Sequence, residues 1–177
     1  MPMQSILIRN PDCMQTIWAP WRMEYILSTK RVGCIFCEKS QQGANDHENF
    51  VLYRGQWAFA LMNLYPYNNG HIMIAPYVHV PSLTALTDQQ ISDLFALTRR
   101  CEQVLGQAIR PEGFNIGLNL GKAAGAGIDD HLHVHIVPRW NGDTNYMTTI
   151  SNSRVIPQQL EDTYRLLMPY FQQHDEP

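Results

Sequence analysis

The polar and apolar residues of the chain follow two different periods. Five short stretches alternate in polarity or are continuously apolar, which is typical of β-strands; they cover residues 50–53, 57–63, 71–75, 114–119 and 131–137. The turn-rich sequence Tyr-Pro-Tyr-Asn-Asn-Gly, residues 65–70, separates the second stretch from the third. The pattern therefore predicts an antiparallel sheet of five short strands.

A helical period occupies the region between the third and fourth strands. Apolar residues recur there every three or four positions from Ile91 to Ala108. Thr87 and Gln90 have the spacing of a capping box, and Pro111 follows the last apolar residue. The pattern predicts one long helix that lies across the sheet.

A second helix is predicted close to the C-terminus. Pro157 suits its first position, and Leu160, Tyr164 and Leu167 share one apolar side. Pro169 is expected to end or kink this helix, because proline lacks the N–H that the helix needs. The sequence thus predicts an α+β fold, with an antiparallel sheet, one long helix across it and a C-terminal helix.

The size and composition of the chain restrict its function further. Its 177 residues suit a single domain over 1–177, with a core at about 33–140, an N-terminal arm and a C-terminal helical extension. A net charge of −3, without any run of Lys or Arg, argues against a nucleic-acid-binding protein. No apolar run approaches the roughly 20 residues of a membrane span. Residues 1–5 lack a signal-peptide pattern, so a cytoplasmic location is expected.

Three histidines in strict alternation form the most unusual stretch. His131, His133 and His135 fall on one side of the predicted strand, and the residues between them are apolar. The imidazoles are therefore expected to line an exposed groove. Three interpretations are open: ordinary surface histidines, a metal centre built from imidazoles two residues apart, or attack by a neutral imidazole on phosphorus, with a phosphohistidine intermediate.

The residues just upstream favour phosphorus chemistry. Residues 119–127, Asn-Leu-Gly-Lys-Ala-Ala-Gly-Ala-Gly, form a loop whose backbone N–H groups can approach an anion. A metal that activates water usually has a carboxylate base close by. Asp129 and Asp130 lie at the start of the strand, however, and not across from the imidazoles. Nucleophilic attack also requires an acceptor for the second ring nitrogen, which a backbone carbonyl can provide.

Two cysteines have the spacing of a metal or redox pair. Cys34 and Cys37 form a Cys-x-x-Cys sequence, expected in a turn that leads into a polar loop over residues 38–49. In a cytosolic chain such a pair is more often metal-binding or redox-active than a structural disulfide. The alternative is two reduced thiols packed beneath the loop. Cys101 falls on the apolar side of the long helix and is expected in the core.

These motifs resemble those of the histidine triad, or HIT, superfamily of nucleotidyl hydrolases and transferases. Residues 131–137, His-Leu-His-Val-His-Ile-Val, match its signature of three histidines separated by apolar residues. Residues 69–76, Asn-Gly-His-Ile-Met-Ile-Ala-Pro, and residues 34–37, Cys-Ile-Phe-Cys, match further superfamily stretches. The resemblance covers about 33–140. It implies a HIT-like fold and a nucleotidyl-histidine intermediate.

Three flanking stretches resemble a narrower branch, the bacterial proteins of the diadenosine tetraphosphate phosphorylase type. They are Trp-Ala-Pro-Trp-Arg at 18–22, Tyr-Pro-Tyr-Asn-Asn-Gly-His at 65–71 and Pro-Arg-Trp-Asn-Gly-Asp-Thr-Asn at 138–145. This resemblance implies phosphorolysis of diadenosine tetraphosphate to ATP and ADP. Hydrolysis of dinucleoside polyphosphates or nucleoside phosphoramidates is the alternative within the same chemistry. A non-catalytic nucleotide-binding protein is the alternative from another class.

The resemblance also implies roles for individual residues. His133 matches the nucleophile that attacks the α-phosphorus, and His135 matches the residue that contacts the phosphate under attack. His71 and His131 complete the network around the nucleophile. The nucleotide site that it implies comprises Asn63 at the ribose, Ile35, Phe36 and Leu61 at the base, and Asn119, Gly125, Ala126 and Gly127 at the phosphates, together with Trp140.

A metal ion and a dimer follow from the same resemblance. In zinc-bearing members of the superfamily, one Cys pair and two histidines close a tetrahedral site. The matching residues here are Cys34, Cys37, His79 and His131. The resemblance therefore implies a structural zinc ion that ties the N-terminal region to the sheet. Edge-to-edge pairing of two sheets into a homodimer is also implied.

Overall fold

The structure is a computed structural model that describes residues 33–125, 127–128, 130–143 and 159–173. The described strands are β1 (Val51–Arg54), β2 (Ala58–Met62), β3 (Ile72–Pro76), β4 (Gly113–Leu118) and β5 (Val134–Arg139). The α-helices are α1 (Ile35–Gln41), α2 (Asp88–Ile109) and α3 (Leu160–Gln173). The first four predicted strands are confirmed to within one residue at each end. The α+β fold is confirmed as well.

The five strands form one antiparallel sheet in the order β1-β2-β3-β5-β4. The first three strands are neighbours in sequence and in space, whereas α2 carries the chain across the sheet before β4. β5 then pairs between β3 and β4, so β4 lies at an edge. On its two sides, His135 of β5 lies directly opposite Met73 and Gly117.

The fifth strand begins later than predicted. β5 starts at Val134, so of the three alternating histidines only His135 lies in the strand. The pairing of β5 with both of its neighbours starts at Val134. The preceding segment leaves the sheet instead, and the N–H of Leu132 donates to the carbonyl oxygen of Val80 at 2.7 Å. The prediction of a strand over residues 131–133 was therefore wrong.

α2 begins and packs as its sequence predicts. The Thr87 side chain accepts the N–H of Gln90 at 3.3 Å, and the Gln90 side chain accepts the N–H of Thr87 at 2.9 Å, so the capping box is complete. Phe95 is 44% exposed, although it belongs to the predicted apolar series. The residues that α2 buries against the sheet are Leu94, Leu97, Thr98, Cys101, Val104 and Leu105.

α3 closes the same core. Tyr164 and Leu167 are buried as predicted, together with Phe171. The helix continues through Pro169 to Gln173, so of the two expected outcomes, an end or a kink at the proline, the end is contradicted. The buried side chains of Leu167 and Phe171 hold the helix on both sides of the proline, and this packing offsets the missing N–H. The predicted start at position 157 lies outside the described residues.

The opposite face of the sheet carries a smaller apolar cluster beneath α1. Residues 35–41 form this helix, where a turn and a polar loop were predicted. Its one fully buried side chain, Phe36, packs against Val51, Phe59, Leu61, Met73 and Ala75. The rings of His131 and His133 lie beside Phe36 of this cluster. Among the described residues, no helix combines the length and the hydropathy needed to cross a bilayer.

Candidate functional site

Four histidines lie along the pairing of β3 with the antiparallel strand β5: His71 directly precedes β3, His131 and His133 precede β5, and His135 lies within it. His71 and His131 are buried, His133 is 5% exposed and His135 is half-buried. The prediction that the imidazoles line an exposed groove is therefore wrong for all but His135. The reason is α1, whose Phe36 ring lies 5.1 Å from the His131 ring and 4.9 Å from the His133 ring, centre to centre.

Main-chain contacts determine which nitrogen of His133 carries the proton. Nδ1 of His133 lies 2.8 Å from the carbonyl oxygen of His131. Because a carbonyl oxygen only accepts, Nδ1 carries the proton and donates it. Nε2 then presents its lone pair, and no partner for it is found in the described part of the chain. Burial lowers the pKa of His133 below the usual histidine value, partly opposed by this backbone bond. The ring is therefore neutral, as a nucleophile must be.

A second chain of contacts determines the proton of His135. Nδ1 of His71 faces two donors, the N–H of Tyr67 at 3.0 Å and the side-chain amide nitrogen of Asn63 at 3.3 Å. The Asn63 amide is oriented by the N–H of Tyr65, which donates to its Oδ1 at 2.9 Å. Nδ1 of His71 is thus unprotonated, and its Nε2–H donates to Nδ1 of His135 at 3.0 Å. His135 consequently carries its own proton on Nε2.

The two ring nitrogens needed for phosphorus chemistry are therefore side by side. The rings of His133 and His135 are 4.7 Å apart between centres and nearly perpendicular. One ring presents a lone pair and the other presents an N–H donor. Such a pair can attack a phosphorus atom and hydrogen-bond an oxygen of the same phosphate.

The predicted phosphate loop follows the edge strand β4. Asn119 is half-buried directly after that strand, whereas Gly125 and Gly127 are exposed. A single 3₁₀ turn, Lys122–Ala124, precedes Gly125, whose φ of 81° is a conformation that side-chain-bearing residues rarely adopt. The loop leads directly back to the triad. Ala126 lies outside the described residues.

The residues expected around the nucleoside fall into two groups. Phe36 and Leu61 are 0% and 1% exposed and form part of the apolar cluster below α1. Ile35 and Asn63 are half-buried, so they present some surface to a ligand. Trp140 follows the end of β5 and is also half-buried. Its backbone N–H donates to the carboxylate of Asp143 at 3.3 Å. The structure thus brings Ile35 and Asn63 to the surface of the site, with Phe36 and Leu61 as its buried support.

Four side chains next to the triad converge as metal ligands do. The candidate ligand atoms of Cys34, Cys37, His79 and His131 lie within 4.8 Å of one another. Nδ1 of His131 lies 3.2 Å from Sγ of Cys34 and 3.2 Å from Nδ1 of His79, which in turn lies 3.2 Å from Sγ of Cys37. The edges of a tetrahedron around zinc are about 3.3–3.8 Å for these ligand types. The set therefore has the geometry to hold a metal ion.

The outer contacts of the same residues support this interpretation. Nε2 of His131 donates to the carbonyl oxygen of Pro76 at 2.9 Å, and Nε2 of His79 lies 3.6 Å from the carboxylate of Asp130. Both contacts favour a proton on Nε2 and leave the Nδ1 lone pairs for a metal. Burial, followed by the neighbouring Cys34 thiol, raises the pKa of Cys37 above its usual value. A cation bound beside this thiol would counter that effect and favour the thiolate of Cys37.

Two of the three stretches that resemble the phosphorylase branch, those at 65–71 and 138–145, contact each other. Asn68 is buried, and its amide nitrogen donates to the carbonyl oxygen of Pro138 at 2.9 Å and to Asp143 at 2.8 Å. Arg139 pairs with the same Asp143 carboxylate through two bonds of 2.6 and 2.9 Å. This network fastens the turn before His71 to the end of β5. The stretch at 18–22 lies outside the described residues.

Tyr67 is a functional residue that the sequence reasoning missed. Its N–H fixes the proton position of His71, and its ring centre lies 4.8 Å from that of His71 and 6.0 Å from that of His135. The decisive group is a main-chain N–H, which every residue except proline carries. Only the turn-rich sequence before His71 could have pointed to it.

Comparison with known proteins assigns the chain to a class. The family model of the HIT domain matches residues 44–142, and the chain belongs to this family. A protein from Mycobacterium tuberculosis described as AP-4-A phosphorylase is 45% identical over 165 residues, which are 88% of this chain and 84% of that protein. The resemblance to the histidine triad superfamily is thereby confirmed.

Two further relatives differ in what they are described as doing or holding. The bis(5'-nucleosyl)-tetraphosphatase [asymmetrical] of Schizosaccharomyces pombe is 38% identical over 93 residues, 52% of this chain and 50% of that protein. The crystal structure of a Zn-bound histidine triad family protein from Mycobacterium smegmatis superposes with a TM-score of 0.65 at 26% identity. It covers 81% of this chain and 96% of that one.

Proposed function

We propose that this protein is an enzyme that cleaves dinucleoside polyphosphates through an adenylylated His133, and that its reaction is the phosphorolysis of diadenosine tetraphosphate to ATP and ADP. The observation that carries this proposal is the neutral ring of His133, whose Nε2 has no hydrogen-bond partner among the described residues and adjoins the Nε2–H of His135. The 45% identical relative described as AP-4-A phosphorylase supports the choice of substrate and acceptor.

The reaction has two half-steps. In the first, Nε2 of His133 forms a bond to the α-phosphorus, the bond from that phosphorus to the bridging oxygen breaks, and ATP leaves. The positive charge gained by the ring is stabilised by the bond from Nδ1–H to the carbonyl oxygen of His131. In the second, an oxygen of inorganic phosphate attacks the same phosphorus, and ADP leaves as the bond to His133 breaks. His135 donates to an oxygen of the phosphate under attack in both.

The nucleotide-binding residues complete this proposal. Asn63 binds the ribose, and Ile35 contacts the base with Phe36 and Leu61 behind it. The residues that hold the phosphates are Asn119, Gly125, Ala126 and Gly127, with Trp140 at the end of the site. These assignments are supported by the exposure of the residues. Asn63 and Asn119 are half-buried, and Gly125 and Gly127 are exposed, so each can contact a ligand.

Incubation with diadenosine tetraphosphate, with and without inorganic phosphate, tests the function. ADP and ATP formed only in the presence of phosphate are the expected products. AMP and ATP formed without phosphate would make the protein a hydrolase, the alternative that the asymmetrical tetraphosphatase of Schizosaccharomyces pombe favours. Tight nucleotide binding without turnover would make it a non-catalytic binding protein.

We propose further that the metal at Cys34, Cys37, His79 and His131 is zinc in a structural role. Two thiolates and two imidazoles are a zinc-type ligand set, and such closed sets stabilise folds. The Zn-bound relative from Mycobacterium smegmatis supports the choice of metal. Metal analysis should find about one zinc ion per chain. An active protein free of metal would remove this proposal.

A homodimer is proposed on the position of β4. Among the described residues this strand is at the edge of the sheet; Ile116 within it and Leu120 after it are 45% and 43% exposed. A sheet edge with exposed apolar residues favours pairing with a second copy. Sedimentation at several protein concentrations tests the dimer, and a monomer at all of them would exclude it. The cytoplasmic location stays a prediction.

A further inference from the structure

Gly117 occupies a position in β4 for which the sheet itself gives no reason. The pairing of β4 with β5 is regular from Gly113 to Leu118, so there is no bulge. The backbone at Gly117 has no positive φ. A Cβ atom added there would meet no atom of the described residues within 4 Å. Glycine weakens a strand and otherwise marks a bulge, a bend or the close approach of a ligand or another backbone. At Gly117 the open space lies in the row of the triad, whereas Gly113 lies opposite Arg139, so Gly117 leaves room for the close approach of a ligand.

The position of Gly117 relative to the triad indicates which molecule this is. Gly117 lies directly opposite His135 and therefore on the same face of the sheet. On the other side of His135, the row continues with Met73 and then Leu61. The buried His133 ring adjoins His135 on this face. Adjacent strands are about 4.8 Å apart, so the row runs from the nucleoside side to the open edge.

We propose that Gly117 forms the floor of a subsite for the departing part of the substrate, the polyphosphate chain with its second nucleoside. This inference rests on the proposed function. Asn63 and Ile35 hold the first nucleoside on the β2 side, and the α-phosphorus sits at His133 and His135. The rest of the substrate then extends in the opposite direction, across β4. A side chain at position 117 would stand in its path.

Two asparagines flank this floor on the same face of β4 and the loop after it. Asn115 and Asn119 are each two residues from Gly117, about 7 Å along the strand direction. Oδ1 of Asn115 accepts a bond from Arg139 at 2.7 Å, so its amide is oriented and its NH₂ group remains a donor. Amide donors of this kind suit the oxygens of a polyphosphate chain.

Dimer formation through β4 does not explain the missing side chain. Edge-to-edge pairing uses backbone N–H and C=O groups in the plane of the sheet. A Cβ atom projects from the face of the sheet, perpendicular to that plane. The glycine is therefore an observation about the ligand face, independent of the edge.

Gly117→Val tests the proposal, and Gly113→Val is its matched control. Both positions belong to β4 and to the same face, and at either one an added Cβ atom meets nothing within 4 Å in the described part of the chain. Gly113, however, lies opposite Arg139, about 13 Å from Gly117. Valine favours strands, so neither variant should lower the unfolding midpoint. Dissociation constants for AMP and for diadenosine tetraphosphate are measured by calorimetry, in a His133→Asn background that prevents turnover.

Gly117→Val should raise the dissociation constant for diadenosine tetraphosphate about tenfold or more, while that for AMP changes by less than about twofold. Gly113→Val should change neither dissociation constant. Equal weakening of both ligands, weakening of neither, or an altered oligomeric state of Gly117→Val would overturn the proposal. Equal affinity of the parent protein for the two ligands would overturn it as well. Because these are binding measurements, they stand apart from the proposed function, which fails if the wild-type protein does not turn over the tetraphosphate.

Discussion

At the scale of single residues, main-chain groups determine which ring nitrogen of each histidine carries the proton. The carbonyl oxygen of Pro76 accepts a hydrogen bond from Nε2–H of His131, so the lone pair of Nδ1 remains for a metal. The carbonyl oxygen of His131 accepts a hydrogen bond from Nδ1–H of His133, so the lone pair of Nε2 remains for attack. The N–H of Tyr67 donates to Nδ1 of His71, so the proton of His71 is on Nε2. The proposed roles of these three side chains therefore rest on different backbone neighbours: His131 as a metal ligand, His133 as the nucleophile and His71 as the relay that donates to His135.

The relay predicts an order of effects among the histidine variants. His71→Ala removes the donor to Nδ1 of His135, so His135 no longer keeps its proton on Nε2, while the nucleophile His133 stays intact. We expect a loss of about 10²–10⁴ in single-turnover rate, as for a lost acid–base group. His133→Ala should lose at least about tenfold more, because the covalent route itself is removed.

His47→Ala is the control for this comparison. The side chain of His47 is 57% exposed and pairs with Glu161 at 3.0 Å on α3, so its removal should leave the rate unchanged. Circular dichroism would establish that each variant is folded, since His71 is completely buried. A loss in His71→Ala as large as that in His133→Ala would contradict the relay, as would no loss at all.

The sequence predicts the identity of these residues better than their surroundings. Alternation indicates that His131, His133 and His135 belong together, but it contains no information about what covers them. Phe36 covers two of the rings, and it does so from a helix in a region that was predicted as a turn and a polar loop. The role of the Tyr67 N–H could not be predicted, because a backbone donor has no residue-type signal.

At the scale of elements, the first turn of α2 is held by a pair of reciprocal bonds. Thr87→Ala removes the side-chain acceptor of the Gln90 N–H and should lower the free energy of unfolding by about 1 kcal/mol. Urea titration at constant temperature measures the change. Ser92→Ala, at an exposed position inside the same helix, should change stability by less than about 0.5 kcal/mol. Equal stability of Thr87→Ala and the wild type would show that the cap contributes nothing.

The elements were predictable where local pattern and tertiary packing agree. The capping box and the apolar period located α2, and alternation located the first four strands to within one residue. The start of β5 was not predictable, because the exchange of sheet pairing for a bond from Leu132 to Val80 depends on a distant part of the chain. The passage of α3 through Pro169 depends likewise on the burial of Leu167 and Phe171, which is a property of the assembled core.

At the scale of the whole molecule, the candidate metal site joins three distant parts of the chain. Cys34 and Cys37 come from the beginning of α1, His79 from the segment after β3, and His131 from the segment before β5. The spatial order of the strands, with β5 between β3 and β4, brings these parts together. That order did not follow from the sequence pattern, although the resemblance to zinc-bearing proteins named all four residues.

Removal of the metal should therefore destabilise the protein as a whole. We expect a chelator to lower the midpoint of thermal unfolding by at least about 5 °C, since a bound metal stabilises only the folded state. Cys37→Ser should show the lower midpoint without chelator and contain less zinc. Cys101→Ala, in the core and away from the site, should keep its zinc and its response to the chelator. Identical melting curves with and without chelator would contradict a structural metal.

The central claim is that His133 becomes covalently bonded to the α-phosphorus. The most direct measurement is mass spectrometry of the protein after rapid mixing with diadenosine tetraphosphate in the absence of phosphate, quenched in alkaline denaturant. We predict one added adenylyl group, located on His133, which disappears when phosphate is added and does not form in His133→Asn. Turnover without any adduct, or an adduct that still forms in His133→Asn, would contradict the claim.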